Sequence, residues 1–455
     1  MKSIIKQLQQ DVINSGICVN CGLCVALDEN REATMQYTNR GPQPFFSNHS
    51  ILSNLAWQAC PGKGIHYANL YHQHYGSVPD NCLLGQVKAV RIGYAAKETI
   101  RHHAASGGII TATLLYLLHQ SLIDDAIVVK QDSDHPEIPK VVITHHPEEI
   151  ISCAQSVYVP VAMLETLSIL DLNKRYAITC SPEQAAALRY LQHNGHKQAQ
   201  QIHYVLGHYT GTSLYPDAIR AFLSARGVAK NDKITALKWR AGQWPGYLEI
   251  KLASGKLIRA MKFYYNYLIP FFITQTSLQS MDFMNEFADL SVGDAWSPHY
   301  ETKKMGFSVF TTRTQAMEEI IVSMLQQGWL VAEAIDPAQS LNMHGHMLDF
   351  KKRGSYIRNR IRSLLGKSSP NYGFKPIPIT IRRILVESII VFVFFCCQLK
   401  AARWLVSQLP DTIIGPMFNI ARKIWKNLSK PTKRKGLANL KMKEIMWDES
   451  NPRKH

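Results

Sequence analysis

The sequence predicts an α/β protein with α+β elements, and three observations favour this fold class. Residues 87–129 read as a strand, an apolar helix and a second strand, a unit typical of parallel sheets with a right-handed crossover. Alternating apolar residues on either side of Ser254-Gly255 predict an antiparallel hairpin. Four cysteines within the first 60 positions, separated by a loop rich in Pro, Gly and Asn, predict a small irregular domain before the sheet.

Composition and charge narrow the class of function. Of the 455 residues, 46% are apolar and 19% are charged, which is typical of a globular protein. The net charge of +17 is concentrated at the C-terminal end: residues 1–350 carry 28 Lys and Arg against 29 Asp and Glu, whereas residues 351–455 carry 23 against 5. Because nucleic-acid enzymes concentrate positive charge around the working cleft, a near-neutral main body disfavours nucleic acid as a partner.

The start of the chain and its cysteine count predict a cytoplasmic protein. The first residues, MKSIIKQLQQDVINSG, contain no apolar run of the length found in secretory signals. An odd number of cysteines, nine, fits reduced thiols better than a disulfide framework.

Four of these cysteines predict a metal centre. The segment CVNCGLC places Cys18, Cys21 and Cys24 at two-residue intervals, and Cys60 follows in ACPG. Three close thiolates completed by a distant Cys-Pro resemble a ferredoxin-type site, so we predict one [4Fe-4S] cluster on these four residues. Zinc is the main alternative, although structural zinc sites usually pair two separated ligand couples. Cys82 is a spare candidate for the fourth ligand.

Glycines in this region and after the first predicted strand suggest close backbone approaches. Gly22 lies between two of the cluster cysteines, where the backbone has to pass near the cluster. Ser106, Gly107 and Gly108 precede the apolar helix, and unpaired N–H groups at a helix start can bind a phosphate or a flavin pyrophosphate. An ordinary turn with a serine cap is the alternative interpretation of these three residues.

Several blocks in a fixed order resemble a known family, the beta subunit family of coenzyme F-420 hydrogenase/dehydrogenase, which is similar to the plant 7-hydroxymethyl chlorophyll a reductase. The resemblance spans about residues 10–345 and is carried by CVNCGLC with ACPG, RHHAASGGIITATLLYLL, QSVYVPV, SPEQAAALRYL, VLGHYTGT and NEFADLSVGDAW. It implies a ferredoxin-like iron–sulfur domain over residues 1–80 and an FAD-binding domain over 85–350. Electrons would then pass between the cluster, FAD and a second redox partner.

Differences from the family pattern are informative. Where many relatives carry further cysteines, this chain has Glu183, Thr210, Ser277 and Ser280. Hydroxyl groups are poor substitutes for thiolates, so a second cluster is not predicted. Cys180 is interpreted as a buried thiol.

The resemblance also implies flavin-contacting residues, while the proton donor stays open. The candidates for flavin binding are Ser106, Gly107, Gly108, Ser156, Tyr158, Gly293 and Asp294. The Gly293-Asp294 pair ends a predicted strand, where ligands of open α/β sheets commonly bind; a simple turn is the alternative. His102 and His103 are of a residue type that titrates in the right range for proton transfer, but a solvent-facing or capping histidine is the more common case. Arg240 could face the flavin or the solvent, Asp289 is interpreted as structural, and no catalytic residue is identified.

The last 105 residues predict a basic, partly apolar helical extension. Residues 384–397 are largely apolar apart from Glu387, but about 20 such residues are needed to span a membrane. Neighbouring Lys, Arg and Trp residues suit an anionic membrane surface. A solvated tail with one helix packed on the protein is the alternative.

Together these observations predict an iron–sulfur flavoprotein oxidoreductase. It would pass electrons between one [4Fe-4S] cluster, FAD and a small organic substrate or a deazaflavin-type coenzyme, with ferredoxin or another redox protein as partner. It would be cytoplasmic or peripheral at the inner face of the cell membrane. The alternative is a non-catalytic electron-transfer or assembly subunit that docks on a membrane-associated partner.

Overall fold

The computed structural model describes residues 3–261, 264–303 and 305–445, so the last ten residues of the predicted extension lie outside the described chain. The N-terminal region combines short helices with a two-stranded antiparallel sheet. Its elements are α1 (Ile4–Leu8), a π-helical turn (Gln9–Ile13), α2 (Leu23–Ala26), β1 (Thr34–Thr38), β2 (Gly41–Phe45), α3 (Asn54–Gln58) and α4 (Tyr67–Tyr75). Leu8, Val12 and Trp57 belong to a small apolar core of this region.

The central region contains most of the strands. Its first part contains β3 (Ala89–Ala95), α5 (Glu98–His103), α6 (Ile109–His119), β4 (Asp125–Gln131), β5 (Pro139–Thr144), α7 (Pro147–Ser152), a 3-10 helix (Met163–Ile169), β6 (Tyr176–Cys180), α8 (Pro182–His193), α9 (Lys197–Gln200) and β7 (Ile202–His208). Its middle part contains α10 (Asp217–Ser224), β8 (Ile234–Ala241), β9 (Tyr247–Leu252), β10 (Leu257–Met261), a second 3-10 helix (Tyr264–Leu268), α11 (Ile269–Phe272) and α12 (Gln275–Gln279). Its last part contains β11 (Leu290–Asp294), α13 (Pro298–Glu301), β12 (Ser308–Thr312), α14 (Gln315–Gln326), β13 (Leu330–Ala334) and α15 (Pro337–Asp349).

Eight of these strands form one mixed sheet in the order β13-β3-β12-β11-β7-β6-β4-β5. Neighbours from β11 to β4 pair in parallel, whereas β12 is antiparallel to both of its neighbours. Alternate residues of β4 face different cores: Ile127 packs with α8, and Ala126 and Val128 pack with α6 and α14. The sheet therefore lies between two helical layers, because both of its faces are apolar.

The structure confirms the α/β class and the predicted local elements. The predicted strand, helix and second strand are β3, α6 and β4, and the two strands run parallel in one sheet with four strands between them. The hairpin around Ser254-Gly255 is β9 paired with β10, and with β8 it forms a separate three-stranded sheet. That small sheet packs on α10 through residues such as Phe222 and Ile250. The domain boundaries stay predictions.

The extension folds back onto the rest of the protein. It consists of a π-helical turn (Phe350–Gly354), α16 (Ser355–Leu364), β14 (Phe374–Ile377), α17 (Ile381–Cys397), α18 (Lys400–Gln408), α19 (Asp411–Arg434) and β15 (Lys441–Glu444). Strand β15 returns to pair antiparallel with β14. The Tyr67 N–H donates to the Tyr372 carbonyl (3.1 Å), and Phe374 belongs to the core beneath α8. The extension thus contacts both the cysteine-rich region and the central region.

Part of the basic charge that the sequence shows in this extension is buried and paired. Arg383 of α17 contacts Asp349 (2.9 Å) and Glu387 (2.6 Å), and Glu387 also contacts Arg358 (2.7 Å). Arg353 pairs with Asp349 at 2.5 Å. We call these five side chains the ion-pair network. Glu387, which interrupts the apolar run in the sequence, is therefore the inward anchor of α17.

Within the described residues, no helix is by itself long and apolar enough to cross a membrane. The consecutive helices α17 and α18 reach that length and hydropathy only as a pair, and they are bent by 71° relative to each other.

Candidate functional site

The four predicted cluster ligands line a single cavity. Cys18, Cys21 and Cys24 lie on the chain that leads into and through α2, and Cys60 follows α3. Their side chains line one pocket together with apolar neighbours that include Leu8, Val12 and Ala56. Cys82 is not among the lining residues. Folding thus gathers the four residues that the spacing singled out.

Two positions with positive φ shape the cysteine loop. Asn20 has a φ of 60° and Gly22 a φ of 82°, a region that glycine occupies without strain. A Cβ on Gly22 would lie 2.7 Å from the Cβ of Glu165, so this glycine is also needed where the loop meets the first 3-10 helix. The Asn20 N–H donates to the Cys18 sulfur at 3.4 Å.

Without a bound cation, burial favours the protonated form of these four thiols. Desolvation raises the pKa of all four, that of Cys18 to about 12, although the positive charge of Lys63 partly offsets the rise at Cys60. Thiolate ligands are deprotonated, so a bound metal centre would have to supply the compensating positive charge. The described lining residues include no His, Asp or Glu that would compete as ligand.

The cavity matches a cluster in ligand type and number. Across the described ranges, no three His, Cys, Asp or Glu side chains converge closely enough to hold one metal ion. A [4Fe-4S] cluster makes a different demand, because each of its four thiolates binds a separate iron. Four thiols spread around a common cavity fit that demand.

The Ser106-Gly107-Gly108 turn is packed tightly against the sheet. The Ser106 hydroxyl donates to the Phe307 carbonyl (2.7 Å), and the Gly107 N–H donates to the Ser308 hydroxyl (2.9 Å). A Cβ on Gly107 would lie 2.5 Å from the Gly93 carbonyl oxygen. Gly108 caps α6 with a φ of 81° and no side-chain cap. The serine-cap alternative is therefore wrong, because the hydroxyl bonds to the chain before β12 instead.

Asp294 is held by an arginine and a tryptophan of the neighbouring small sheet. Arg240 makes contacts of 3.0 Å to both carboxylate oxygens, and the Trp244 indole N–H donates to Oδ1 at 3.1 Å. The Arg240 side chain is only 4% exposed, so it is not the surface cation that the sequence also allowed. Trp244 packs against Trp296, with ring centroids 4.9 Å apart.

The two glycine-containing motifs meet at one edge of the sheet. Ser308, which accepts from Gly107, is the register partner of Asp294 on β11 and of Gly93 on β3. The end of β11, the start of β12 and the start of α6 therefore adjoin. In an α/β sheet this is a common position for a ligand. The structure brings these candidates together at this edge.

A short segment joins this edge to the cysteine loop. At one end the Gln155 side chain donates to the carbonyl of His103 (2.8 Å), three residues before the turn that begins at Ser106. At the other end the Leu164 N–H donates to the carbonyl of Cys21 (2.8 Å). We call residues 155–164 the linking segment.

The remaining candidates on the linking segment lie between these two contacts. The Tyr158 ring packs edge-on against Trp239, with centroids 5.5 Å apart, and Trp239 precedes the arginine that holds Asp294. The Tyr158 carbonyl accepts from the Leu214 N–H (2.8 Å). Ser156 is half-buried on the same segment. The segment thus carries both predicted residues beside the small sheet.

Other sequence interpretations have clear structural outcomes. Asp289 is structural, as predicted: it pairs with the buried Arg189 at 2.7 Å. Cys180 is buried, also as predicted. His102 and His103 are exposed at the end of α5.

Sequence reasoning missed two residues near this edge. Ser308 has no motif that would have marked it. His344 lies inside an ordinary helical pattern; it is 4% exposed, its ring lies between Tyr209 and Phe283, and burial lowers its pKa to about 4. Neither residue could be found without the fold, because each acts through a partner distant in sequence.

The four positions compared above with cysteines of the family carry other contacts here. The Ser277 hydroxyl accepts from the Ser213 N–H (2.8 Å), and the Thr210 hydroxyl donates to the His208 carbonyl (3.2 Å). Glu183 and Ser280 are buried.

Comparisons with known proteins agree with this fold. The chain matches two models of the coenzyme F420 hydrogenase/dehydrogenase beta subunit, that of its N-terminal part over residues 90–168 and that of its C-terminal part over residues 173–338. Together the two matches cover more than half of the chain. The coenzyme F420-dependent sulfite reductase of Methanocaldococcus jannaschii is 23% identical over 368 residues. That match covers 75% of this chain and 52% of the relative, so the chain spans about half the length of that relative.

A solved structure shows a similar fold. A chain of the F420-reducing [NiFe] hydrogenase complex from Methanosarcina barkeri superposes with a TM-score of 0.51 at 17% identity. The match covers 64% of this chain and 98% of the other. At this identity the likeness concerns the fold alone.

The two family matches place the chain in the class of hydrogenase and dehydrogenase beta subunits. The chain belongs to the coenzyme F420 hydrogenase/dehydrogenase beta subunit family.

Proposed function

We propose that the chain is an iron–sulfur flavoprotein oxidoreductase. One [4Fe-4S] cluster would be held by Cys18, Cys21, Cys24 and Cys60. FAD would lie at the sheet edge formed by the ends of β3 and β11 and the starts of β12 and α6, and electrons would continue to a small organic substrate or a deazaflavin-type coenzyme. Flavins exchange electrons in pairs or singly and clusters exchange them singly, which is the chemistry that such a pair supplies.

The observation that carries this proposal is the linking segment. It contacts the His103 carbonyl near the glycine turn at one end and the Cys21 carbonyl at the other. Ten residues can extend over at most roughly 35 Å, and Tyr158 is six residues from Leu164, or at most roughly 21 Å. One short segment therefore connects the two proposed cofactor sites and limits their separation.

The chain's own groups at the edge suit a dinucleotide with a pyrophosphate. The α6 N-terminus favours negative charge because its first N–H groups point outward along the helix dipole. Gly107 and Gly108 let that helix start pack closely against β3 and α5. The pair Arg240 and Asp294 holds the small sheet against β11. It thereby fixes the position of the Tyr158 and Trp239 rings, which we propose as the flavin wall.

Partners and location complete the proposal. Ferredoxin or another redox protein would exchange electrons with the cluster, and the direction of transfer is left open. The likeness to a chain of a hydrogenase complex supports a protein partner. The cysteine pattern supports a cytoplasmic location, and an anionic membrane surface is proposed as a further partner of the extension.

The test is anaerobic purification of the full chain, followed by iron, sulfide and zinc analysis and by flavin release. The expected result is about four iron atoms and one FAD per chain. Bound zinc without flavin would contradict both cofactor assignments, whereas iron without flavin would overturn only the FAD site.

A non-catalytic electron-transfer or assembly subunit is the second candidate. It is favoured by the coverage of only 52% of the sulfite reductase relative, because chemistry of that relative can lie on the part that the match does not cover. Turnover by the isolated chain with an artificial electron donor, tested with deazaflavin-type and organic acceptors, separates the two. Reduced cofactors without turnover would support the second candidate.

A further inference from the structure

Exposed apolar side chains are concentrated in the extension. Among the described residues, 27 large apolar side chains are exposed, and 18 of them fall between residues 364 and 428. Single exposed apolar residues are normal on a globular protein, but a cluster of this size marks a contact surface.

Helix α17 buries charged side chains and exposes apolar ones, which is the reverse of the usual arrangement. Its buried residues include Arg383 and Glu387, both fully shielded in the ion-pair network. Its exposed face carries Ile381 (78% exposed), Leu385 (58%) and Phe392 (67%). A helix that meets water on its outer side would place the isoleucine and phenylalanine inward, so α17 differs from an ordinary water-facing helix.

Helices α18 and α19 continue the same surface. Trp404 and Leu405 of α18 are 65% and 51% exposed. On α19 the exposed apolar residues recur at spacings of three and four, which places them along one stripe of the helix. They are Ile413, Met417, Ile420, Ile424 and Leu428, each at least 55% exposed. We call the exposed apolar residues of α17, α18 and α19 together the apolar surface.

Positive charge accompanies the apolar surface. Between residues 381 and 430 the sequence has eight Lys and Arg but only two acidic residues, Glu387 and Asp411. Glu387 is buried and paired. Arg422, Lys423 and Lys426 of α19 are exposed. Lys423 flanks the apolar stripe, and Arg422 and Lys426 lie on the opposite side of the helix. Long basic side chains can bury their stems in an apolar medium while the charged ends reach anionic groups at its boundary.

We infer that the apolar surface inserts into the interfacial layer of an anionic lipid bilayer, with α17, α18 and α19 lying along the membrane plane. The ion-pair network holds α17 on the protein side, and the exposed cations bind lipid phosphates. The 71° bend between α17 and α18 fits helices that lie along an interface rather than cross it.

Charge complementarity favours lipid over a second copy of the chain. Two copies that met through this surface would bring the same row of cations together, and like charges in contact are destabilising. An anionic bilayer presents the opposite charge and an apolar interior at once. The inference deepens the membrane partner named under the proposed function, and its test is independent because vesicle binding requires no redox turnover.

The test is flotation of the anaerobically purified full chain with vesicles of phosphatidylglycerol and phosphatidylcholine, compared with phosphatidylcholine alone. Wild type is expected to float with the anionic vesicles, and less well as salt is raised. The variant Leu385→Ser, Phe392→Ser, Ile420→Ser, Ile424→Ser should remain unbound. Its matched control, Ile169→Ser with Leu172→Ser, also removes exposed apolar side chains, 70% and 46% exposed, but lies outside the surface and should float as wild type does.

A charge variant tests the second half of the inference. Arg422→Gln, Lys423→Gln, Lys426→Gln should weaken binding to anionic vesicles by about 100-fold, since each cation near an anionic surface contributes roughly a fivefold factor. The melting temperature of each variant shows that the fold is retained. Three outcomes would each overturn the inference. They are a wild type that does not float, an apolar-surface variant that floats equally well, and a dimer of the wild type without lipid that the apolar-surface substitutions dissociate. Iron and flavin content would be unchanged in every case.

Discussion

The cysteine cavity and the ion-pair network both bury ionisable groups, but they differ in what compensates the charge. In the network, burial by itself would raise the pKa of Glu387, yet the charges of Arg358 and Arg383 outweigh burial and lower it. In the cavity, burial raises the pKa of every thiol, and the walls are apolar. The network is complete within the chain, whereas the proposed cluster site would need a metal centre to compensate the charge of deprotonated thiols.

The difference shows how to distinguish a structural from a cofactor-binding buried cluster. A structural cluster contains its own countercharges at hydrogen-bond distance, as Arg383 and Glu387 do at 2.6 Å. The proposed cluster site instead gathers four ligands of one type in an apolar cavity. Substitutions in the two regions should therefore affect different quantities, metal content in one and stability in the other.

The largest effect is expected in the cavity. Cys24→Ser removes one of four thiolates, and serine is a poor ligand for iron, so iron should fall from about four atoms per chain to near zero. Iron analysis after anaerobic purification measures this. Cys82→Ser is the matched control, because Cys82 does not line the cavity, and it should keep its iron. Equal iron in both variants would contradict the ligand assignment.

The next effect concerns the network. Glu387→Gln leaves Arg358 and Arg383 buried without their shared carboxylate, which should lower the free energy of unfolding by about 3–5 kcal/mol. Urea unfolding measures the change, and Glu148→Gln on an exposed helix turn is the control. An unchanged iron content with reduced stability would sharpen the contrast with the cavity.

The network also predicts a pH dependence. The pKa of Glu387 is lower in the folded than in the unfolded chain, so its stabilisation is present above the unfolded pKa and is lost as the pH falls through the folded pKa. The difference in unfolding free energy between wild type and Glu387→Gln should be full near pH 7 and shrink below about pH 4. A difference that grows in acid would contradict this sign.

The loss of stability on breaking a partly exposed ion pair should lie between that of the buried network and that of a surface pair. Asp294 is 17% exposed and its partner Arg240 is 4% exposed, so Asp294→Ala should cost about 2–3 kcal/mol, less than a fully buried pair. If the proposed flavin wall is correct, the released flavin per chain should fall as well. Retention of full flavin after this substitution would argue against that wall.

Gly107→Ala tests the same edge without a change of charge. The added Cβ would meet the Gly93 carbonyl oxygen at 2.5 Å, which should destabilise the protein by about 1–3 kcal/mol and lower flavin content. In the control Gly345→Ala, the nearest atom lies at 3.4 Å on a leucine side chain. Similar flavin contents in the two variants would remove Gly107 from the proposed site.

The smallest effect is expected at an exposed pair. Lys130 and Glu149 are 2.7 Å apart, but their side chains are 44% and 29% exposed. Water and salt screen such a pair, so Lys130→Gln should leave the urea midpoint unchanged within error. A clear loss of stability would show that ion pairing itself, rather than burial of the pair, determines how much such a pair stabilises the fold.

Local patterns in the sequence predicted several features that the structure confirms. The α/β class, the hairpin of β9 and β10, the α6 helix after Gly108 and the structural role of Asp289 all follow from spacing and periodicity. The four cysteines could be selected together because their spacing is typical of a cluster. The family could be recognised because its blocks occur in order along the chain.

Other features depend on contacts between residues far apart in sequence. The sequence shows Glu387 as an interruption and the extension as basic, but only the packing of α17 on α15 and α16 turns those charges inward and the apolar residues outward. Ser308 and His344 became visible for the same reason. Spacing along the chain shows which residues share one face of a helix or strand. Whether that face points to the core or to the outside, and which element it contacts, is decided only when distant elements pack.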